Sequence, residues 1–442
     1  MVKLPAHSAY GGTGHVPANA NKKRNRGGSV MKNGGNRTKK SSLVIPIMGM
    51  MLIAYIILIP MKLSFAQTPP SPIKIGILYP SVGPETYLGK RQLRGWELAF
   101  EQVDYKVAGR PVKFIVEDDK SDPSVGVTKV TKLIEQDRVH ILGGVINSAV
   151  GYAIRDVVDR GEIPLVISMA NAGGLTRERR SPYIFRTFAP GGTPSHFMAD
   201  FISKDLNLRK AVLSAADYAY GREHAEMFRK QFERLGGQVL LENFAPLGTV
   251  DYGPYVAELN RHAGKADVLH FVYSGADALR FVKAVGDFGL NKKFVLTNWG
   301  GTPDGSSYLS QMGSAVEGAY HVNIYMFELN NPANQRFLEL NKRKGGGMDA
   351  LDYYGYLAAS VILHALQQVK GDVEAKSEFL KALREVKFEM PNGLFQFDPR
   401  SQNALVNFYI GRVRKADGEF GKFQNALVKA IPQAQDPWWI GR

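Results

Sequence analysis

From residue 73 onward, short apolar runs alternate with longer amphipathic stretches along most of the chain. The first runs are IKIGIL (73–78), VKFIVE (112–117), HILGG (140–144) and PLVIS (164–168). They are nearly continuous in apolar character, as strands covered on both faces are, and a helical pattern follows each. A second series comprises KAVLSAA (210–216), QVLLENF (238–244), DVLHFVY (267–273) and KFVLTN (293–298), separated by helices such as that predicted over 222–235. This alternation predicts an α/β protein of two Rossmann-like lobes, each built on a parallel sheet. Between the series, around 182–194, SPYIFRTFAPGGTP is short and extended, which suits a hinge strand passing between lobes. Beyond Gly318 the pattern gives a strand (AYHVNIY), helices over 333–345 and 351–370, a turn at Pro391-Asn392-Gly393, and the strand LVNFYIGRV. This tail is expected to cross back between the lobes. The GGG at 345–347 reads as a loop, and no repeat in the solenoid range of periods is evident.

Composition places limits on function. The 442 residues suffice for more than one folding unit, and 44% hydrophobic with 22% charged residues is ordinary for a globular chain. The net charge of +15 first suggests nucleic acid. Residues 1–66, however, carry ten Lys or Arg and no Asp or Glu, which leaves only +5 for the other 376 positions. That remainder lacks the concentrated basic stripe that phosphate backbones require, so no nucleic-acid partner is expected. The absence of cysteine excludes disulfides, thiolate metal sites, thiol catalysis and lipid attachment to an N-terminal cysteine.

Residues 1–40 are rich in Gly, Asn, Lys and Arg without an apolar period, and are expected to be disordered. Lys39-Lys40 then precede an apolar run, 43–61, followed by Ser64-Phe65-Ala66, whose small residues flank a large one as in a signal-peptidase site. A leader spanning 1–66, cleavage near Ala66 and a periplasmic mature protein are therefore expected. An uncleaved anchor is the alternative, since nineteen residues nearly span a bilayer, but Pro46, Gly49 and Pro60 argue against it. Met31 begins a leader of conventional length and is a candidate true start.

After the linker TPPSP come IKIGILYPSVGP and GKRQLRGWELA, the acidic EDDKSDPSVGV, LGGVINSAVGYAI and PLVISMANAGGLT. DYAYGREHAEMF, FVYSGADALRFVKAVGDFGL and PNGLFQFDP complete the series. In this order and spacing, from about Ile73 to Val413, they resemble the type I periplasmic solute-binding proteins of branched-chain amino-acid ABC transporters, the leucine/isoleucine/valine-binding class. The resemblance implies a periplasmic binding protein type I fold, two lobes joined by a three-strand hinge and closing on a ligand. It places 72–188 with 324–397 in lobe 1 and 190–322 with 398–442 in lobe 2. It also implies an extracytoplasmic substrate-binding component that delivers a small carboxylate to an inner-membrane ABC permease, as a monomer, without a cofactor.

In open α/β sheets, ligands collect beyond the carboxyl ends of the strands, where helix N-termini present unpaired N–H groups. Asn147, Ser148 and Ala149 follow the third strand, and Ala170, Asn171 and Ala172 the fourth. In the family these two loops bind the ligand carboxylate, although ANAGG departs from the commoner Ala-Thr form. Helix capping and turn chemistry are the competing reading. From the second lobe, Tyr220, Ser274, Ala276, Asn298 and Trp299 are placed at the same cleft, with Tyr87 a further candidate from the first. Amino-acid binders of the class commonly place an acid in the last loop to pair with an ammonium. The sequence here is NWGG, with Asp304 and Asp217 as substitutes, so a ligand without an ammonium, such as an aromatic carboxylate stacked on Tyr220, Trp299 or Tyr87, fits as well as a branched-chain amino acid.

Two other classes compete. The sequence has no G-x-S-x-G elbow, H-E-x-x-H pair, phosphate-binding G-x-x-x-x-G-K-[ST] loop or G-x-G-x-x-G after its first strand, which argues against an enzyme. His224 reads as a packed or solvated residue rather than a base, and Asp122 as a cap before Ser124 rather than part of a metal site with Glu117, Asp118 and Asp119. A ligand-sensing ectodomain using the same cleft is the remaining alternative.

Overall fold

Parallel strands with helical crossovers place their carboxyl ends at one edge of a sheet, and this chain does so twice. The computed structural model describes residues 70–299, 306–345, 349–418 and 421–439. The leader, the Met31 start, Asp304 and the glycines after Trp299 lie outside the described residues. The described residues pack as one unit.

The first half runs β1 (Ile73–Leu78), α1 (Thr86–Glu101), β2 (Lys106–Val107), β3 (Arg110–Glu117), α2 (Pro123–Glu135), β4 (Ile141–Gly144), α3 (Ser148–Gly161), β5 (Leu165–Ile167) and β6 (Ile184–Arg186). Its sheet has the order β2-β3-β1-β4-β5-β6, parallel except for β2. The second half opens with α4 (Thr193–Lys204), β7 (Lys210–Ala216), α5 (Ala219–Arg234), β8 (Gln238–Ala245) and α6 (Gly253–Asn260). It continues through β9 (Val268–Val272), α7 (Gly275–Asp287), β10 (Val295–Trp299), α8 (Ser306–Met312) and β11 (Tyr320–Asn323). The parallel strands follow the order β8-β7-β9-β10-β11. Both halves thus repeat one doubly wound order, 2-1-3-4-5, and each has one switch point: β1/β4 in the first, β7/β9 in the second.

The chain then returns to the first half. α9 (Pro332–Arg343) and α10 (Ala350–Gln368) follow β11, and α10 lies along α1. Gly95 and Gly355 permit that approach, since a Cβ on Gly95 would stand 2.0 Å from the Asp352 carbonyl and one on Gly355 1.9 Å from that of Gln92. α11 (Lys376–Glu385) leads to the hairpin β12 (Lys387–Met390) and β13 (Gly393–Phe397), turning at Pro391-Asn392 with Gly393 at φ +98°. β14 (Ala404–Gly418) and β15 (Gly421–Ala434) close the chain as an antiparallel pair, with β14 also antiparallel to β11 and β13. The second sheet is therefore mixed rather than wholly parallel as expected. A hairpin pairs antiparallel without a crossover, and the chain here has no helix to make one.

The core forms where these layers meet. Trp96 is fully buried under the first sheet, and Gly143 leaves room for its ring, because a Cβ there would lie 2.1 Å from it. Burying such an aromatic side chain stabilises by about 1.5–3 kcal/mol.

Candidate functional site

The two switch points face each other. The loop after β1 carries Pro84 and Glu85, and the loop after β4 carries Asn147 and Ser148. Opposite them, Tyr218 and Tyr220 follow β7, while Ser274 and Ala276 follow β9. The halves are closed on one another here: Ala276 N–H donates to the Pro84 carbonyl at 3.3 Å, and the Tyr218 hydroxyl to Glu85 Oε1 at 3.4 Å.

On the first half, Asn147 caps α3, its Oδ1 accepting from Ala149 N–H (2.9 Å) and Val150 N–H (3.2 Å). Asn171 N–H donates to Ser148 Oγ at 3.1 Å, which ties the two predicted loops together. Ala170 N–H donates to the Val145 carbonyl at 3.0 Å. The N–H groups of Ala149, Ala170 and Asn171 are thus already used within the protein. Those of Ser148 and Ala172 donate to no described group. Because Ser148 Oγ accepts from Asn171, its own proton remains available to a ligand oxygen. Two N–H groups and one hydroxyl, all on buried residues, are thus open donors, those of Ser148 at the N-terminal end of α3.

On the second half, Tyr220, His224 and Trp299 form an aromatic wall. The His224 and Trp299 rings stack at 5.7 Å with a 12° interplanar angle, and Tyr220 lies 5.1 Å from His224. The Tyr220 hydroxyl donates to the Trp299 carbonyl at 3.2 Å. Phe188, on the segment between the halves, reaches Trp299 at 5.4 Å and Tyr354 at 4.7 Å. His224 is packed, as the sequence suggested, its Nδ1 on Ser195 Oγ at 2.8 Å, and burial holds its pKa well below the usual value. Asn298 and Ser274 are both buried at the ends of their strands. Tyr87 is directed elsewhere: its hydroxyl bonds Asp349, and its ring stands edge-on to Tyr308 at 5.1 Å.

Of the acids considered for an ammonium, Asp217 does not serve, being paired with Arg222 at 2.7 Å on the surface. Glu85, which sequence reasoning passed over, is the acid at the seam. It is 2% exposed, accepts from Asn147 Nδ2 at 3.1 Å, and precedes α1. Burial, reinforced by Asp277 nearby, holds its carboxyl above the usual range. Its only signal in the sequence was position, one residue before a helix at a strand's carboxyl end. The acids of EDDKSDP divide as expected: Asp122 caps α2 through Ser124 and Val125 N–H, and Glu117 pairs with Lys129 and Lys132, both at 2.6 Å. Asp119 is fully buried, and burial pushes its carboxyl up to about 7.

The model of the family described as periplasmic binding protein matches residues 72–419. The chain belongs to the periplasmic binding protein family. Among relatives of this family, a Leu/Ile/Val-binding protein homolog 6 of Brucella melitensis biotype 1 is 24% identical over 83% of this chain and 93% of its own. An ABC transporter substrate-binding protein from Sphaerobacter thermophilus superposes with a TM-score of 0.77 at 36% identity, covering 83% of this chain and all of that one. A solute-binding protein of an R. palustris ABC transporter, solved in complex with benzoate, gives a TM-score of 0.74 at 28% identity, with 82% of this chain and 98% of that one covered. Both of these solved structures are of ABC transporter binding proteins. No helix among the described residues is long and apolar enough to cross a membrane.

Proposed function

We propose that this protein is the extracytoplasmic substrate-binding component of an ABC importer and that its ligand is a small aromatic or other organic carboxylate. One observation carries the reading: Asn171 N–H on Ser148 Oγ joins the two loops at 3.1 Å, and the Ser148 N–H, Ala172 N–H and Ser148 hydroxyl on those loops donate to no described group. The carboxylate rests on those donors, and Tyr220 and Trp299 cover the apolar body from the other side. No bond is made or broken. The open form captures ligand on lobe 1 (72–188 with 324–397), lobe 2 (190–322 with 398–442) closes, and the closed monomer docks on an inner-membrane permease. The mature protein begins near Gln67 after cleavage at Ala66 and works in the periplasm. The benzoate complex of the R. palustris relative supports the aromatic class.

A second reading rests on Glu85. Once ionised, this carboxylate supplies from lobe 1 the ammonium partner that the Asn298-Trp299 loop lacks, and the ligand is then a branched-chain amino acid, in line with the Brucella relative's name. A thermal-shift screen against benzoates and amino acids separates the two. Ligand at 100 times its Kd raises stability by about 2.7 kcal/mol. Stabilisation by benzoates alone supports the first reading, and stabilisation by leucine that is lost in Glu85→Gln supports the second. No response to any carboxylate overturns both.

A further inference from the structure

Arg186 ends β6 and is completely buried, yet it makes no ion pair among the described residues. Asp436, the acid whose charge acts most on it, is held by Arg177 at 2.7 Å. The guanidinium is instead spent on neutral oxygens. Nε donates to Asn403 Oδ1 at 2.7 Å and Nη2 to Thr176 Oγ1, while Nη1 faces three successive carbonyls, those of Ala170 (3.5 Å), Asn171 (3.0 Å) and Ala172 (2.7 Å).

A planar trans peptide points its N–H opposite to its C=O. Three carbonyls drawn toward one guanidinium therefore turn the N–H groups of Asn171, Ala172 and Gly173 away from it. Two of the three meet oxygen acceptors: Asn171 N–H finds Ser148 Oγ at 3.1 Å, and Gly173 N–H finds the Glu223 carboxylate from the other half at 2.7 Å. The middle one, Ala172 N–H, is the open donor of the site. Successive N–H groups turned to one side form an anion-binding concavity, and a cation behind them adds to the field.

We propose that Arg186, which does not touch the ligand, is the positioning residue that sets the preference of the cleft for an anion, by fixing the 170–173 peptides with their N–H groups outward. The proposal rests on the carboxylate reading of Ser148 and Ala172. Its test measures Kd for two acid–amide pairs, benzoate with benzamide and leucine with leucinamide, on the protein produced from the full chain. Wild type should prefer the acid of the pair it binds by at least tenfold. Arg186→Met should cut that ratio tenfold or more, and Arg186→Lys, which keeps the charge without the planar fork, should cut it less. A wild-type protein that binds neither acid, or prefers the amide, overturns the carboxylate reading and this proposal together. A folded Arg186→Met that keeps the wild-type ratio overturns the proposal alone. Should both variants fail to fold, the wild-type amide resonance of Ala172 decides: it should move with the acid and stay with the amide, and a resonance unmoved by the bound acid overturns the role.

Discussion

The Tyr152 hydroxyl of α3 donates to Glu223 Oε1 of α5 at 2.6 Å, and the other Glu223 oxygen accepts from Gly173 N–H at 2.7 Å, so one carboxylate spans the two halves. Opening the cleft returns all three groups to water, whereas removing Glu223 strands two donors only in the closed form. Each stranded donor costs about 1–3 kcal/mol. The two together make at least about 2 kcal/mol, so Glu223→Ala should weaken ligand binding by about 30-fold or more, mainly through faster dissociation, with little change in the unliganded melting temperature. Stopped-flow dissociation rates check this, and an unchanged rate counts against the latch.

Ser148→Ala removes a hydroxyl whose proton is free for the ligand and leaves the Ser148 and Ala172 N–H groups in place. A hydrogen bond to a charged group contributes about 1.5–3 kcal/mol. Calorimetric titration should show carboxylate affinity falling roughly tenfold or more and the amide analogue losing less. Equal losses for both would remove Ser148 from the carboxylate subsite.

Tyr220 is 4% exposed and fixes the Trp299 carbonyl, while Lys230 on the same helix is exposed and pairs with Glu226. Contacts made only on closure are the ones that favour it. Tyr220→Ala should weaken binding at least tenfold and Lys230→Ala by less than about twofold, the latter as expected of an exposed i,i+4 pair. Matching affinities in a side-by-side titration would contradict the aromatic wall.

The buried Asp119 gives the fold a pH dependence. Its carboxyl sits at about 7 in the folded protein, with burial the main cause, against about 4 when unfolded. Between those values the folded form holds a proton that the unfolded form has released, so stability is greatest below pH 4 from this group and is lost as pH rises through 7. The span sets a ceiling of about 4 kcal/mol. Thermal melts of Asp119→Asn from pH 4 to 8 should fall less steeply with pH than wild type. Parallel slopes would show that Asp119 does not titrate in this range.

Strands buried on both faces announced themselves: β1 and β7 match IKIGIL and KAVLSAA residue for residue, because continuous apolar runs have few other uses. β15 did not. It is an edge strand with exposed Leu427 and Val428, contains Pro432, and pairs with β14 through three register shifts, so no period of two survives in GKFQNALVKAIPQA. The hairpin β12–β13 is short and half-buried and was legible only as its turn at Pro391-Asn392-Gly393. At the site, Ser148 and Ala172 were legible because strand ends and helix starts fix where backbone donors lie. Which donors stay open was not, since that depends on Ser148 Oγ meeting Asn171 and on Glu223 arriving from 50 residues away. Arg186 was hidden inside an extended segment whose sequence resembles any hinge strand.

The most direct measurement is a crystal structure of the protein with the carboxylate that stabilises it most in the thermal-shift screen. The proposed carboxylate site requires a carboxylate oxygen within about 2.7–3.2 Å of both Ser148 N and Ala172 N, with Tyr220 covering the ligand body. A ligand bound with its carboxylate turned to solvent, or held elsewhere with Ser148 and Ala172 still open, would contradict it.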